Sequence, residues 1–152
     1  MDISFKKITI DDVDDFLALE RTVDGSIIYS AMTDRQEAVE EITKNTVYFI
    51  KKDNNVVGNI SYEIKGLKIP YISGLMVAPQ FQGQGIGKQA MVIILEELKD
   101  LGMETIELLT HPRNTKALMI YLSLGFELSG WEDNYFGDGE PRVKMIKRQS
   151  II

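Results

Sequence analysis

Apolar and polar positions along the chain repeat with two periods, one typical of strands and one typical of helices. Residues 3–10 alternate and predict a first strand, and the stretch that follows has an apolar position every three to four residues. Thr9 or Asp11 is suited to cap the helix predicted there. A second helical stripe covers residues 33–44, and Thr33 is its predicted N-cap. Residues 23–32 have neither period and predict a loop or a broken helix.

The second half of the chain continues with strand and helix patterns in turn. Residues 46–64 predict a hairpin whose two strands are joined by Asp-Asn-Asn, and KGLKIP then leads into a strand at 71–78. An apolar stripe over 86–101 predicts a helix that Gly102 stops. The remaining elements are a strand at 105–110, a short helix at 114–124 ended by Gly125, and a closing hairpin with Asp-Gly at its turn.

The resulting order, βααβββαβαββ, predicts one α/β (α+β) domain over residues 1–152. We expect a mixed central sheet of about seven strands with about four helices, antiparallel in its first part. The strand–helix–strand unit from 71 to 110 is expected to pair in parallel.

The amino-acid composition and the apolar runs of the chain exclude some classes of protein. Apolar residues make up 44% of the chain and charged residues 26%, as in ordinary globular proteins. No apolar run approaches the roughly 18 residues that span a bilayer, so no membrane partner is expected. MDISFKK is not followed by an apolar segment, so we expect no secretory signal and a cytoplasmic protein.

Charge and reactive side chains exclude further classes. The chain has no cysteine, which removes disulfides, thiolate metal sites and a cysteine nucleophile, and its only histidine is His111. A histidine metal cluster within one chain is therefore excluded, and no metal is expected. The net charge is −6 and no basic stripe is visible, which argues against nucleic-acid binding and suits a cationic substrate.

PQFQGQGIGKQA, residues 79–90, places three glycines at the start of a predicted helix, where the backbone can bind a phosphate. A nucleoside-triphosphate loop is the first candidate. It needs a glycine five residues before Gly87 and a hydroxyl after Lys88. Gln82 and Gln89 occupy those positions, so a magnesium ligand is missing and this interpretation is disfavoured.

A dinucleotide fingerprint is the second candidate. Gly85, Gly87 and Ala90 fit G-x-G-x-x-A, and Glu107 lies close to the distance expected for a ribose-binding acid. In that fold, however, a strand runs almost directly into the first glycine, early in the domain. Here APQFQGQ intervenes after several earlier elements, so an NAD(P)-binding domain is the weaker alternative.

A pyrophosphate site for coenzyme A is the third candidate. Successive amides at a helix N-terminus favour anions, and glycines let the backbone approach them closely. QGQGIG, residues 82–87, matches Q/R-x-x-G-x-G/A, the central motif of the GNAT acetyltransferase family, which the chain resembles over nearly all of its length. NTKALMIYLSLGF, residues 114–126, is similar to that family's motif N-x-x-A-x-x-x-Y-x-x-x-G-F. Its Asn and Tyr are separated by two helical turns and so share one helix face.

The resemblance implies a GNAT-like sheet with splayed strands around acetyl-CoA, the acyl donor. It implies that Asn114 bonds the pantetheine arm and that Tyr121 is the general acid for the departing thiolate. The strand at 71–78 is expected to bulge, as Gly74 suggests, and to bind the thioester through free amides. The cofactor-binding residues implied in this way are Leu75, Met76, Val77, Gln82, Gly83, Gln84, Gly85, Ile86, Gly87, Lys88, Asn114, Lys116 and Tyr121, with Arg113 beside them.

The general base departs from the family pattern. Relatives carry a glutamate at positions that hold other side chains here, namely Tyr71, Ser73 and Leu109. Glu63, on the hairpin strand next to residues 71–78, is the first candidate for the base, and Glu107 is the second. A water chain that ends in solvent is the third, and His111 is considered as well.

The end of the chain bears on the acceptor. DNYFGDGEPRVKM resembles the ending of the branch that acetylates protein N-termini, including ribosomal-protein alanine acetyltransferases. The resemblance implies that Tyr135 lines the acceptor site and that Glu140 matches an acid before the last strand. Phe136 and Pro141 depart from the pattern of that branch.

Taken together, the resemblance implies transfer of an acetyl group from acetyl-CoA to a primary amine, either a small molecule or a peptide N-terminus. Direct attack in a ternary complex is favoured, because no cysteine can take the acyl group. A non-catalytic coenzyme A or acyl-CoA sensor on the same fold is the alternative. Dimers are common in the family, so a homodimer is compatible with the resemblance. The acceptor amine and the length of the acyl group stay open.

Overall fold

One mixed sheet organises the computed structural model, which describes residues 3–65 and 69–150. Its strands lie in the order β1-β2-β3-β4-β5-β7-β6. In chain order the elements are β1 (Ile3–Lys7), α1 (Val13–Arg21), α2 (Arg35–Lys44), β2 (Thr46–Lys52), β3 (Asn55–Lys65), β4 (Ile69–Val77), α3 (Ile86–Asp100), β5 (Thr105–Thr110), α4 (Thr115–Ser123), β6 (Glu127–Glu132) and β7 (Arg142–Arg148). The predicted order and class are confirmed, whereas residues 66–68 of the predicted KGLKIP connection lie outside the described residues.

Strands β4 and β5 form the parallel pair predicted for the unit from 71 to 110, and every other neighbouring pair is antiparallel. They are in register only at Tyr71–Glu107 and at Ile72–Leu108. Beyond Ile72, β4 continues to Val77 without a partner on that side. The strands therefore diverge and open a gap in the sheet.

A β-bulge lies at the start of this gap. Ser61 of β3 is opposite Gly74, whereas the next residue of β3, Tyr62, is opposite Ile72. Ser73 is therefore the extra residue of β4, directly before the glycine that predicted a bulge. A bulge redirects the side chains that follow it and increases the local twist, which helps β4 to leave β5.

Each face of the sheet packs against one pair of helices. Helices α3 and α4 cover a core that includes Ile60, Ile72 and Leu108 of the sheet. Helices α1 and α2 cover the other core, together with Phe49 and Met76. The stripes of apolar residues every three to four positions are thus the buried faces of the helices, as the sequence pattern predicts.

Two predicted boundaries differ from the structure. Asp34, not Thr33, caps α2: its backbone is extended and its carboxylate accepts a hydrogen bond from Glu37 N at 2.9 Å. The closing hairpin has a connection over residues 133–141 and not a tight Asp-Gly turn. Strand β6 ends at Glu132 because left-handed backbone conformations follow at Asn134, Gly137 and Gly139, which stop the extended strand.

Candidate active site

Beside the end of β4, beyond its last pair with β5, lies a cavity of about 670 Å³. We call it the glycine-loop cavity, because it is lined by residues 81–83 and 85–87 together with the end of β4 and the first turns of α4. Of the predicted cofactor-binding residues, all line it except Gln84 and Lys88. The side chain of Gln84 instead accepts a hydrogen bond from Lys52 Nζ at 2.7 Å, and Lys88 is exposed.

Backbone geometry explains the glycines of this loop. Gly83 and Gly85 have φ angles of 81° and 77°, in the left-handed region that other residues rarely adopt. Gly85 is the N-cap of α3, and the first bond of that helix runs from Gln89 N to Gly85 O at 3.1 Å. The amides of residues 86–88 therefore have no acceptor within the helix, and the helix dipole makes this end attractive to anions.

Side chains hold and frame the loop. Gln82 Nε2 donates a hydrogen bond to Val77 O at 2.9 Å, which ties the loop to the end of β4. Arg113 and Lys116 are exposed and line the same cavity. The loop thus offers free amides beside two cations, an arrangement that suits a phosphate-bearing ligand.

Asn114 and Tyr121 bring α4 to the centre of the gap. Asn114 is the N-cap of α4, and its Oδ1 accepts a hydrogen bond from Ala117 N at 3.2 Å. This bond leaves the Nδ2 group as a donor toward the cavity. Asn114 and Tyr121 are seven residues apart, and both line the glycine-loop cavity.

Tyr121 is fixed and almost fully buried. Its relative exposure is 6%, and its ring packs edge-on against Phe126 with 5.8 Å between centroids. No hydrogen-bond partner for its hydroxyl exists among the described residues. Burial raises the pKa of this phenol well above its usual value, so the hydroxyl keeps its proton at neutral pH.

A second cavity, of about 340 Å³, lies beside α1 and α2, and we call it the α2-side cavity. It is lined by α1–α2 residues, by the bulge of β4 and by the end of β5. The residues that line both cavities are Ile28, Tyr29, Leu75, Asn114 and Tyr121. The two cavities therefore meet at Tyr121 and at the end of β4, which has no partner on its β5 side.

A buried carboxyl group organises one wall of the α2-side cavity. Glu20 is 2% exposed and accepts hydrogen bonds from Asn59 Nδ2 at 2.7 Å, Met32 N at 2.9 Å and the hydroxyl of Tyr29 at 3.2 Å. Burial raises the pKa of Glu20, and burial beside this carboxyl group raises the pKa of Tyr29. Glu20 therefore holds the segment around Tyr29 against the sheet.

The bulge brings a second carboxyl group to the sheet. Ser73 Oγ lies 3.2 Å from Glu41 Oε1 and 2.9 Å from Ser61 Oγ. Sequence analysis missed Glu20 and Glu41. Glu20 continues the spacing of Val13, Phe16 and Leu17 at one further turn, which is a signal for a buried position. Glu41 lies three residues after the buried Ala38 and next to the buried Ile42, so the same spacing places it at the edge of the buried face of α2.

His111 has a structural role. It is 1% exposed, its Nδ1 accepts a hydrogen bond from Arg113 N at 3.0 Å, and its Nε2 lies 2.9 Å from Glu140 Oε1. Arg142 is also buried and binds Asp138 at 2.8 Å. These contacts fasten the connection over residues 133–141 to the end of β5, where Phe136 reaches the α2-side cavity.

The two carboxylates that were candidates for the base lie elsewhere. Glu63 and Glu107 line a third cavity of about 310 Å³, together with Tyr71, Tyr135 and Lys144. Lys144 Nζ is 3.7 Å from Glu107 Oε2. This third cavity adjoins the α2-side cavity along β5, but Tyr121 does not line it. The structure thus separates both glutamates from the phenol.

Residues 3–65 and 69–150 contain no group of three or more His, Asp or Glu side chains placed to hold a metal ion. In the same part of the chain, no helix is both long and apolar enough to cross a membrane.

The sequence also matches that of a known protein family. The sequence model of the acetyltransferase (GNAT) family matches residues 13–126. A mycothiol acetyltransferase of Kytococcus sedentarius is 33% identical over 84 residues, which are 55% of this chain and 28% of that protein. A ribosomal protein bS18 alanine N-acetyltransferase of Escherichia coli is 32% identical over 72 residues, 47% of this chain and 49% of that protein. The chain thus spans half or less of the length of these two relatives.

Solved structures show the same fold. The crystal structure of a GNAT family acetyltransferase from Elizabethkingia anophelis with acetyl-CoA bound aligns with a TM-score of 0.77. The alignment covers 97% of this chain and 98% of that one at 19% sequence identity.

Proposed function

This chain belongs to the GNAT acetyltransferase family, and we propose that it transfers an acetyl group from acetyl-CoA to a primary amine by direct attack. Residues 1–152 act in this proposal as a single acetyltransferase domain. The observation that carries the proposal is the junction of the glycine-loop and α2-side cavities at Leu75, Asn114 and Tyr121. A donor in one cavity and an acceptor in the other would meet at the phenol.

The glycine-loop cavity fits coenzyme A in size and in its donors. Its volume of about 670 Å³ lies within the range of small-molecule sites. The free amides at the start of α3 would hold the pyrophosphate, and Arg113 and Lys116 would add charge. The Asn114 Nδ2 group would bond the pantetheine arm. The amides of Leu75 and Val77, which alternate with the β3-bonded positions of β4, would bind the thioester carbonyl. When bound, acetyl-CoA supplies the activated acyl group.

The chemistry assigned to Tyr121 follows from its state of protonation. The amine nitrogen forms a bond to the acetyl carbon, and the bond from that carbon to sulfur breaks. Tyr121 gives its proton to the departing sulfur and regains one from the nitrogen, which becomes the amide. An ordinary phenol already has a higher pKa than a thiol, and burial raises the pKa of Tyr121 further, so coupled transfer of the two protons would avoid a phenolate intermediate.

An acceptor with a primary amine suits the α2-side cavity. Glu37 and Glu41 line this cavity and would attract an ammonium group. The bS18-alanine acetyltransferase relative makes a peptide N-terminus one acceptor class to test. A longer acceptor would extend past Leu108 and Leu109, which line both this cavity and the third one, and reach Tyr135.

One observation favours the alternative of a non-catalytic coenzyme A sensor. Glu63 and Glu107 do not line either cavity that contains Tyr121, so neither expected base stands beside the proposed reaction centre. A sensor would bind acetyl-CoA without releasing its thiol in the presence of amines.

Thiol release separates these functions. The protein is incubated with acetyl-CoA and ethylamine, 1,4-diaminobutane, lysine or a peptide that begins with alanine, and the products are analysed by mass spectrometry. Transfer predicts amine-dependent thiol release and a product heavier by one acetyl group. Tight acetyl-CoA binding with no release for any acceptor would support the sensor, and binding of NAD without coenzyme A in a thermal-shift screen would contradict both.

A further inference from the structure

Glu41 of α2 lines the α2-side cavity together with Leu75 and Tyr121, where the proposed transfer would take place. We propose that its carboxylate is the base that takes the proton from the acceptor ammonium, an inference that rests on the proposed acetyl transfer. An alkylamine has a pKa of about 10.4, so at pH 7 only about one molecule in 2500 is the neutral nucleophile. A base beside the ammonium group would remove its proton and so produce the neutral amine.

The other titratable groups of the α2-side cavity are already engaged. The carboxyl group of Glu20 accepts three different donors and is buried. Both ring nitrogens of His111 have partners, at Arg113 N and at Glu140. Arg142 has no acceptor atom. Tyr29 donates its proton to Glu20, and its raised pKa keeps it neutral.

Glu37 and Glu41 remain, and they differ in position. Glu37 is exposed in the first turn of α2, and its backbone amide caps that helix on Asp34. Glu41 lies one turn further along and is only partly exposed. Its Oε1 contacts Ser73 Oγ at the bulge of β4, at 3.2 Å. Only Glu41 therefore reaches the sheet where β4 leaves β5.

The hydrogen bonds around Glu41 orient one oxygen and leave the other available. Ser73, whose hydroxyl lies 2.9 Å from Ser61 Oγ, holds Oε1. Oε2 makes no hydrogen bond or ion pair within residues 3–65 and 69–150. The bulge residue Ser73 lies two residues before Leu75, which lines both cavities and has no partner on the β5 side of β4. An ammonium group bound at Oε2 would thus lie beside the proposed thioester site.

The proton balance closes with this assignment. The ammonium gives one proton to Glu41, and the neutral amine then attacks the acetyl carbon. The second proton leaves the nitrogen as the amide forms and reaches the sulfur by way of Tyr121. Glu41 is partly exposed to solvent, so it returns its proton to water. Each turnover therefore releases one proton, one amide and one thiol.

The test compares Glu41→Gln with Glu40→Gln, a control that removes the same charge from the same helix at an exposed position. Ethylamine and 2,2,2-trifluoroethylamine serve as acceptors, because they share a skeleton but the fluorinated amine is neutral at the assay pH. We expect Glu41→Gln to lower kcat/KM for ethylamine by about 10²- to 10⁴-fold, the usual contribution of a general base. With trifluoroethylamine, the variant should approach the wild type. Calorimetry should give unchanged acetyl-CoA affinity, which shows that the variant is folded.

The outcomes separate this inference from the proposed function. Equal loss for both amines, or a Glu41→Gln variant as active as Glu40→Gln, would overturn the role of Glu41 while transfer by the wild type stands. Absence of thiol release by the wild type with every acceptor would overturn the proposed transfer and the base together. If Glu41→Gln does not fold, Ser73→Ala replaces it. We then expect a smaller loss for ethylamine and none for trifluoroethylamine, and equal rates with the wild type for both amines would overturn the role of Glu41.

Discussion

Ile72 and Leu108 form the last registered pair between β4 and β5, and the two strands diverge directly beyond them. The bulge at Ser73 follows at once on β4. Residues of both strands line the α2-side cavity here, and the end of β4 also lines the glycine-loop cavity. The break in strand pairing therefore leaves the β5-facing edge of β4 without a partner strand, and the proposed transfer uses the amides at that edge.

Changing Tyr121→Phe removes the phenol that lies at the junction of the two cavities. We expect kcat to fall by about 10²- to 10⁴-fold, because a proton donor for the departing thiolate is lost. Acetyl-CoA affinity should stay nearly constant, since the ring and its packing on Phe126 remain. Steady-state kinetics and calorimetry measure the two quantities. Tyr48→Phe, at a tyrosine that lines neither cavity, is the control, and an unchanged kcat for Tyr121→Phe would remove the phenol from the mechanism.

The residues that line the glycine-loop cavity were largely predictable from sequence. Glycines at left-handed positions before a helix, and two polar residues separated by two turns, are local patterns. Gly83, Gly85, Asn114 and Tyr121 accordingly line one cavity. The order of strands and helices was predictable for the same reason, since each element carries its own period.

The positions of side chains around the α2-side cavity were not predictable, because they depend on the register of β4 with its neighbouring strands. Glu63 and Glu107 both pair opposite Tyr71, in the part of the sheet where β4 and β5 are still bonded. Sequence order shows that their strands are neighbours, but not where those strands separate. The contact of Ser73 with Glu41 depends on the extra residue of the bulge, because a shift by one residue exchanges the faces of a strand.

Gly85 and Gly102 form a matched pair at the two ends of α3, with φ angles of 77° and 81°. Changing either to Ala imposes a similar backbone cost of about 1–2 kcal/mol, because the left-handed conformation is unfavourable for residues with a Cβ. Both variants should therefore melt at a lower temperature. Only Gly85→Ala should also weaken acetyl-CoA binding, by about tenfold, which corresponds to about 1.4 kcal/mol. Equal affinities of the two variants in calorimetry would contradict the pyrophosphate assignment.

Gly58 allows β3 and β4 to approach closely. A Cβ on Gly58 would lie 2.2 Å from Met76 O, so Gly58→Ala must displace the end of β4. We expect a loss of about 1–3 kcal/mol in the free energy of unfolding and weaker acetyl-CoA binding, since Met76 and Val77 line the glycine-loop cavity. Gly130→Ala is the control, because its Cβ would meet Lys144 at an ordinary 3.6 Å. Urea unfolding of both variants tests this, and equal stability would contradict the close approach.

Tyr62 makes the free energy of unfolding depend on pH in the alkaline range. Its hydroxyl donates a hydrogen bond to Glu97 Oε2 at 2.6 Å. Burial is the larger cause and this hydrogen bond the second cause that raises the pKa of Tyr62 to about 12. A phenol in the unfolded chain titrates near pH 10. The folded state holds the proton more tightly, so the stabilisation is complete below about pH 10 and is lost as pH rises toward about 12.

Comparing the wild type with Tyr62→Phe isolates this contribution, because the other titrating groups are common to both proteins. At pH 8 the wild type should be more stable by about 1.5 to 3 kcal/mol, the usual worth of a hydrogen bond to a charged group. The difference should shrink between about pH 10 and about pH 12, as ionised Tyr62 meets the carboxylate of Glu97. Urea unfolding at a series of pH values measures it, and a difference that stays constant over this interval would show that Tyr62 does not titrate against Glu97.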